Sequence, residues 1–134
     1  MARSEAEERL YELLQQIYFD SIDGGDADAA VESLAPDVEW THTQVWEHDG
    51  HKNHHTDTLE GREAVRDFLA GRIDEMQVEG IEHKVRDVVA NENEGAFRAE
   101  VVGPDGETLG FLGWVELADG VIETYTVAPE RMSE

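Results

Sequence analysis

The chain begins with a series of apolar residues at helical spacing. They are Leu10, Leu13, Leu14, Ile17 and Tyr18. Because residues three and four positions apart share one face of an α-helix, this pattern predicts a first helix from about Ser4 to Ile22 with one apolar stripe. Ser4 and Glu7 have the spacing of a capping box, which indicates where the helix starts. The glycines of Asp23-Gly24-Gly25 indicate where it ends.

A short second helix and a strand follow. Asp26 is placed to cap a helix that runs through Leu34, and Pro36 prevents its continuation. Alternation then puts Val38, Trp40 and His42 on one face of a first strand. Residues 44–58 have no clean period and are predicted to form a loop or an irregular excursion.

A third helix is predicted from Gly61 to just before Gly80. Its apolar face comprises Val65, Phe68, Leu69, Ile73 and Met76. The rest of the chain alternates with period two, over residues 81–90, 96–102, 108–117 and 121–127. Turn sequences rich in Gly, Pro and Asp separate the last three of these segments. Four consecutive antiparallel strands are therefore predicted after the third helix.

The segment 108–117 is apolar on both faces. One face carries Leu109, Phe111, Val115 and Leu117, and the other carries Leu112 and Trp114. A strand that is apolar on both faces is usually covered on both, so we expect helices on one side and a second subunit of a homodimer on the other. The alternative is a single exposed Trp114 packed under a loop.

Length and composition predict one globular domain over residues 1–134. The chain has no cysteine, which excludes a disulfide framework, a thiol nucleophile and a thiolate metal site. The amino terminus has no apolar core of a secretion signal, and no segment approaches the roughly 18 apolar residues of a membrane span. We therefore expect a cytoplasmic protein without a membrane partner.

The charge changes this picture most. The sequence has 32 Asp and Glu residues against 10 Lys and Arg, a formal net charge of -22. Only Lys52 and Lys84 are lysines. An acidic, lysine-poor surface is typical of proteins from salt-saturated cytoplasms, where a Debye length of roughly 3 Å at 1 M salt screens the carboxylates. The alternative is an acidic docking surface, but the acids are spread along the whole chain. A nucleic-acid partner is disfavoured because it too is a polyanion.

Three segments carry a resemblance to a known family. They are Tyr18-Phe19-Asp20-Ser21-Ile22-Asp23-Gly24-Gly25-Asp26-Ala27-Asp28, Leu34-Ala35-Pro36-Asp37-Val38-Glu39-Trp40 and Leu59-Glu60-Gly61-Arg62-Glu63-Ala64-Val65. With the order of the elements, they resemble the nuclear-transport-factor-2-like superfamily, which includes SnoaL-like polyketide cyclases and ketosteroid isomerases. The resemblance covers nearly the whole chain. Because this fold hosts isomerases, cyclases, dehydratases, hydrolases and binders, it implies the fold more specifically than the activity.

The resemblance implies an α+β fold, a cystatin-like cone in which a curved antiparallel sheet wraps around a long amino-terminal helix, with two further helices. Such domains commonly form homodimers and enclose one apolar pocket, and a strongly curved sheet leaves a concavity on physical grounds as well. We expect the pocket to be lined by Leu14, Tyr18, Trp40, His42, Phe68, Phe97, Ala99, Val101, Phe111 and Gly113.

The ketosteroid isomerase pattern supplies candidate catalytic residues. It uses a carboxylate base and an oxyanion hole of a tyrosine and a protonated aspartic acid. By the resemblance, the tyrosine falls on Tyr18, the base on His42 and the aspartic acid on Gly113, so two of the three groups differ. An imidazole titrates near neutral pH and can serve as a general base. The hypothesis is that His42 moves a proton while Tyr18 polarises a carbonyl; the alternative is a His42 that hydrogen-bonds within the pocket wall.

The segment from His48 to His55, with Asp57 after it, invites a metal-binding interpretation. Its spacing matches no stereotyped motif and Lys52 lies in its middle, so a polar loop is preferred and no metal or other cofactor is predicted. The sequence thus favours a domain that binds a small apolar molecule, with cofactor-free proton transfer. A non-catalytic binding or assembly module and a metal-dependent enzyme are the alternatives.

Overall fold

The computed structural model describes residues 4–43 and 56–129, without the side chains of residues 74–79. Helix α1 consists of α-helical Glu5–Tyr11, π-helical Glu12–Phe19 and α-helical Asp20–Asp23, one after another. The capping box is confirmed, because the Glu7 N–H donates to Ser4 Oγ over 3.1 Å and the Ser4 N–H donates to Glu7 Oε1 over 2.9 Å. The wider π turns place Leu13, Leu14, Gln15, Tyr18 and Phe19 in the interior.

The second helix, α2, is shorter than predicted. It spans Ala27–Ala30, with Asp26 Oδ1 accepting from the Ala29 N–H, and a 3₁₀ turn Val31–Ser33 follows. Leu34 already belongs to strand β1, so the prediction that the helix runs through this residue was wrong. Helix α3 spans Arg62–Glu79, as the apolar periodicity predicted, and Val65, Leu69 and Ile73 are buried.

Six strands form one curved sheet in the order β2-β1-β6-β5-β4-β3. The strands are β1 Leu34–Thr43, β2 Thr56–Glu60, β3 Glu82–Ala90, β4 Glu94–Val102, β5 Thr108–Ala118 and β6 Val121–Pro129. Strands β3 to β6 are consecutive and antiparallel, which confirms the predicted meander. Strands β1 and β6 pair in parallel, a long-range connection that local patterns do not predict.

Strand β2 was not predicted, because residues 56–58 were assigned to a loop. Thr56–Glu60 pairs antiparallel with β1, with Asp57 opposite His42 and Leu59 opposite Trp40. The strand is short, lies at the sheet edge and alternates between exposed and partly exposed residues. Such a pattern gives little apolar signal, since only Leu59 packs against the core.

The two faces of the sheet differ. The concave face packs against α1, α2 and α3 and carries the buried core, whereas Val89, Leu112 and Trp114 on the convex face remain exposed. The outward direction predicted for Leu112 and Trp114 is confirmed. The structure therefore has the predicted α+β architecture, a curved, unclosed sheet around a long first helix with two further helices.

Candidate functional site

An aromatic cluster fills the middle of the concave face. Its members come from α1, β1, β4, β5 and β6, and each is at most 4% exposed: Tyr18, Phe19, Trp40, Phe97, Phe111 and Tyr125. The rings contact one another, with Trp40 stacked on Tyr125 at a centroid distance of 6.0 Å and Phe97 edge-on to Phe111 at 6.2 Å. Packing of this kind fixes the positions of the side chains at the rim of the cluster.

The hydroxyl of Tyr18 lies at the centre of this cluster. It accepts a hydrogen bond from Trp40 Nε1 over 3.0 Å. Burial raises the pKa of Tyr18 well above its ordinary value, although hydrogen bonds with Trp40 and Tyr125 act in the opposite direction. Burial likewise raises the pKa of Tyr125, and the neighbouring Tyr18 adds to the shift. Both phenols therefore keep their protons at neutral pH and can act only as hydrogen-bonding groups, not as bases.

His42 lies at one end of the concave face, where β1 ends. Its ring stacks on Trp40 at a centroid distance of 5.3 Å and an interplanar angle of 10°. Asp57 is its direct cross-strand partner on β2. Residues directly opposite in an antiparallel pair have side chains on the same face, about 4.5–5.5 Å apart at Cβ. His42 Nδ1 and Asp57 Oδ2 are both buried, and the register brings a carboxylate and an imidazole to neighbouring positions of the concave face.

Helix α3 closes this side of the site with Phe68 and Arg72. Phe68 packs on Trp40 at a centroid distance of 5.3 Å, and the Arg72 guanidinium carbon lies 5.2 Å from the centre of the Phe68 ring. Arg72 is 8% exposed. The two residues are four positions apart and so share one face of the helix. A buried cation, an aromatic ring and an imidazole therefore lie on the same side of the cone.

By the resemblance, Gly113 corresponds to the aspartic acid of the isomerase pattern, and in the structure the ring of Phe97 covers this glycine. A Cβ at position 113 would overlap Phe97 Cε1 and Cζ. Gly113 pairs with Phe97 on one side and Val127 on the other, and Val127 pairs with His42. The register partners from His42 across the sheet are thus Val127, Gly113 and Phe97, and an apolar ring, not an acid, covers this part of the concave face.

A second histidine lies on the opposite side of the concave face. His83 Nδ1 is 2.7 Å from Asp23 Oδ1, and the His83 backbone N–H donates to Asp23 Oδ2 over 2.8 Å. Its ring stacks on Phe19 at 5.1 Å and 7°. The buried Gln15 completes the attachment of β3 to α1: its Nε2 donates to the His83 carbonyl over 3.0 Å, and its Oε1 accepts from the Val85 N–H over 2.6 Å.

The structure thus places the predicted site residues on the concave face. Leu14, Ala99 and Val101 are buried around the aromatic cluster, and His42 and Phe68 are partly exposed at its rim. Three polar contributors were missed as members of this site: Asp57, Arg72 and the His83–Asp23 pair. The sequence could have indicated Arg72, because it is a cation within the apolar stripe of its helix. It could also have indicated His83, because His83 alternates with Val85 on the inward face of its strand.

The predicted metal alternative depends on residues 48–55, which lie outside the described residues. Within residues 4–43 and 56–129, leaving out the side chains of residues 74–79, no three His, Cys, Asp or Glu side chains form a group that could hold a metal ion. In the same part of the chain, no helix is long and apolar enough to cross a membrane.

Comparison with solved structures identifies the class of fold. An NTF2-like protein of unknown function from Mesorhizobium loti aligns with a TM-score of 0.65 and 15% identity, over 97% of this chain and 98% of that chain. A candidate ketosteroid isomerase from Kribbella flavida aligns with a TM-score of 0.65 and 19% identity, over 98% and 85%. A candidate polyketide cyclase from Sinorhizobium meliloti gives 0.58 and 20%, over 83% and 89%. The chain therefore has the NTF2-like fold.

The family follows from the sequence itself. The model of the SnoaL-like domain matches residues 16–125, so the chain belongs to the SnoaL-like domain family. No curated protein matches the chain significantly. The resemblance on which the fold prediction rested is confirmed.

Proposed function

We propose that this SnoaL-like domain binds a small, largely apolar molecule at the His42 end of its concave face and that His42 transfers a proton to or from it without a cofactor. The observation that carries the proposal is the placement of His42, whose ring stacks on Trp40 and whose cross-strand partner is Asp57. An imidazole held by a ring, with a carboxylate at the paired position of the neighbouring strand, is prepared for general acid–base catalysis.

Tyr18 has a separate role in this proposal. It is a protonated phenol whose oxygen accepts from Trp40 Nε1. Because burial raises its pKa, Tyr18 serves as a hydrogen-bond donor to a ligand oxygen, while proton transfer belongs to His42.

Exchange of the α-hydrogens of a simple ketone into D₂O tests the proton-transfer step. We expect the protein to accelerate deuterium uptake by 2-tetralone, followed by NMR, and His42→Ala to lower the rate by about 10²-fold or more, the usual contribution of general acid–base catalysis. Thr41→Ala is the matched control, because Thr41 is the neighbouring residue on the other face of β1. Exchange that is equally fast with His42→Ala contradicts the catalytic role.

A non-catalytic module of the same fold is the second candidate, and the Phe97 ring over Gly113 favours it. In this case the cone is filled by its own side chains. A compound that co-purifies with the protein, identified by mass spectrometry, contradicts a cone filled by side chains, and the deuterium exchange then decides between binding alone and catalysis. If 2-tetralone and other apolar rings produce no change in the fluorescence of a Trp46→Phe/Trp114→Phe protein, whose remaining tryptophan is Trp40, the second candidate is preferred.

The convex face supports a homodimer in either case. Trp114, Ala96 and Val89 are register partners across β5, β4 and β3, and Leu112 lies two residues from Trp114. Val89, Leu112 and Trp114 are 62%, 48% and 43% exposed. Adjacent apolar side chains of this kind mark interaction surfaces. We expect Trp114→Ser to lower the sedimentation coefficient to that of a monomer, whereas Gln16→Ser on the exposed side of α1 leaves it unchanged. Identical sedimentation of both variants and the parent contradicts this interface.

A further inference from the structure

The Asp23 carboxylate holds His83 at two points. Oδ1 lies 2.7 Å from the ring nitrogen Nδ1, and Oδ2 accepts the His83 backbone N–H over 2.8 Å. A carboxylate at Nδ1 favours the tautomer that carries its proton there. In the neutral ring, Nε2 then bears the lone pair and can accept a proton or a hydrogen bond.

His83 lies at the same end of the concave face as His42. Strand β1 runs parallel to β6, and β6, β5, β4 and β3 alternate in direction, so the end of β1 and the start of β3 meet the same edge of the sheet. His83 is opposite the buried Val101, which places its side chain on the concave face. The two histidines therefore face the interior from opposite sides, with β6, β5 and β4 between them.

Aromatic side chains surround the His83 ring. Phe19 stacks on one of its faces at 5.1 Å, and Phe111 lies edge-on at 6.4 Å and 80°. The side chain retains 12% exposure. Aromatic side chains of this kind favour contact with a planar apolar ring, and the Nδ1–Asp23 contact holds the imidazole in one orientation beside them.

We propose that His83 is a second ligand-facing base, which accepts the hydroxyl hydrogen of a planar phenol or enol bound against the exposed part of its ring at this end of the concave face. This inference rests on the proposed function, since it assumes that a small molecule enters the same end of the cone. When the O–H proton passes to Nε2, the ligand becomes an oxyanion and the ring an imidazolium. Asp23 remains ionised and pairs with the imidazolium, so it is a positioning residue.

A purely structural role for the pair is the competing explanation. Asp23 and Gln15 satisfy backbone groups of β3, an edge strand. A loss of stability on substitution of Asp23 therefore does not distinguish the structural role of the pair from its proposed role in ligand binding. The decisive measurement is the chemical shift of His83 Nε2 in the unmodified protein.

The experiment compares 2-naphthol with naphthalene, which has the same rings without the hydroxyl. Long-range ¹H–¹⁵N spectra of the histidine side chains follow each titration, and the His83 signals are assigned by their absence in His83→Phe. We expect 2-naphthol, but not naphthalene, to shift the Nε2 resonance of His83. We also expect 2-naphthol to bind about fivefold more tightly, as one hydrogen bond contributes, and His83→Phe, which keeps a ring on Phe19, to abolish this preference.

The outcomes separate the two proposals. Equal binding of both compounds with an unmoved Nε2 resonance overturns the role of His83 and leaves a binding site at His42. Absence of binding by both compounds removes this site and the role of His83 together. If His83→Phe does not fold, the two titrations of the parent protein still decide, with His83 assigned through its scalar-coupled backbone signals.

Discussion

The two faces of strand β5 show how differently one segment can be used. On the concave face, Phe111, Gly113 and Val115 are buried in the aromatic core, and the ring of Phe97 occupies the space above Gly113. On the convex face, Leu112 and Trp114 remain exposed. Apolar residues thus serve the fold on one face and remain available for a partner on the other, and hydrophobicity alone does not distinguish the two uses.

The largest predicted effect is the change of melting temperature with salt, because the surface is highly charged and the interior is not. The net charge of the chain is -22. Among the residues whose side chains the structure describes, no Asp or Glu is buried, and the aromatic core contains no charged member. We expect the melting temperature to rise steeply with KCl up to the molar range, because screening at a Debye length of roughly 3 Å removes the repulsion between carboxylates. Thermal unfolding followed by circular dichroism measures the melting temperature at each KCl concentration.

Sucrose is the control for the salt experiment, because it strengthens burial of apolar surface without screening charges. A melting temperature that is unchanged between low and molar KCl contradicts the interpretation of the composition as an adaptation to salt.

The next largest effect should be a loss of unfolding free energy when a side chain is added at Gly113. Gly113→Val places a Cβ where the Phe97 ring lies, and overpacking of a core costs about 1–3 kcal/mol of unfolding free energy. Gly110→Val is the matched control, because Gly110 lies on the convex side of the same strand and the substitution is identical. Urea denaturation measures both. Equal stability of the two variants contradicts the filled interior and indicates space above Gly113.

The sequence predicted elements better than it predicted the site. Amphipathic periodicity located α1, α3, β1 and the four strands β3 to β6, because each of these elements buries one apolar face. It missed β2, whose residues are mostly polar, and the parallel pairing of β1 with β6, because such pairing depends on contacts distant in sequence. The His83–Asp23 pair joins residues 60 positions apart, so no local sequence spacing predicts this contact.

The predicted site residues illustrate the same limit. Helical spacing placed Tyr18, and strand alternation placed His42, on the inner side. Neither pattern can show that Trp40 donates to the Tyr18 hydroxyl or that Phe97 covers Gly113. These contacts follow from the curvature of the sheet, which brings the inward side chains of different strands together. A pattern of hydrophobic positions therefore predicts which residues face inward more readily than what they contact there.

Alkaline titration should give the smallest effect and tests the phenols of the concave face directly. Burial raises the folded-state pKa of both Tyr18 and Tyr125. At pH above about 10 an unfolded tyrosine loses its proton while the buried one keeps it. The folded state then binds more protons, so unfolding free energy falls as the pH rises, by about 1.4 kcal/mol per pH unit for each such tyrosine.

Tyr18→Phe should remove one of these two contributions and so reduce the slope between pH 10 and 11 by about 1 kcal/mol per pH unit, because the unfolded tyrosine is only partly deprotonated in this range. At neutral pH the same variant should lose about 1–3 kcal/mol of unfolding free energy, because the buried Trp40 N–H no longer has its acceptor. Tyr11→Phe, on the partly exposed part of the same helix, is the matched control. Urea denaturation at several pH values measures the slopes. A slope that Tyr18→Phe leaves unchanged contradicts a buried, protonated phenol at the centre of the cone.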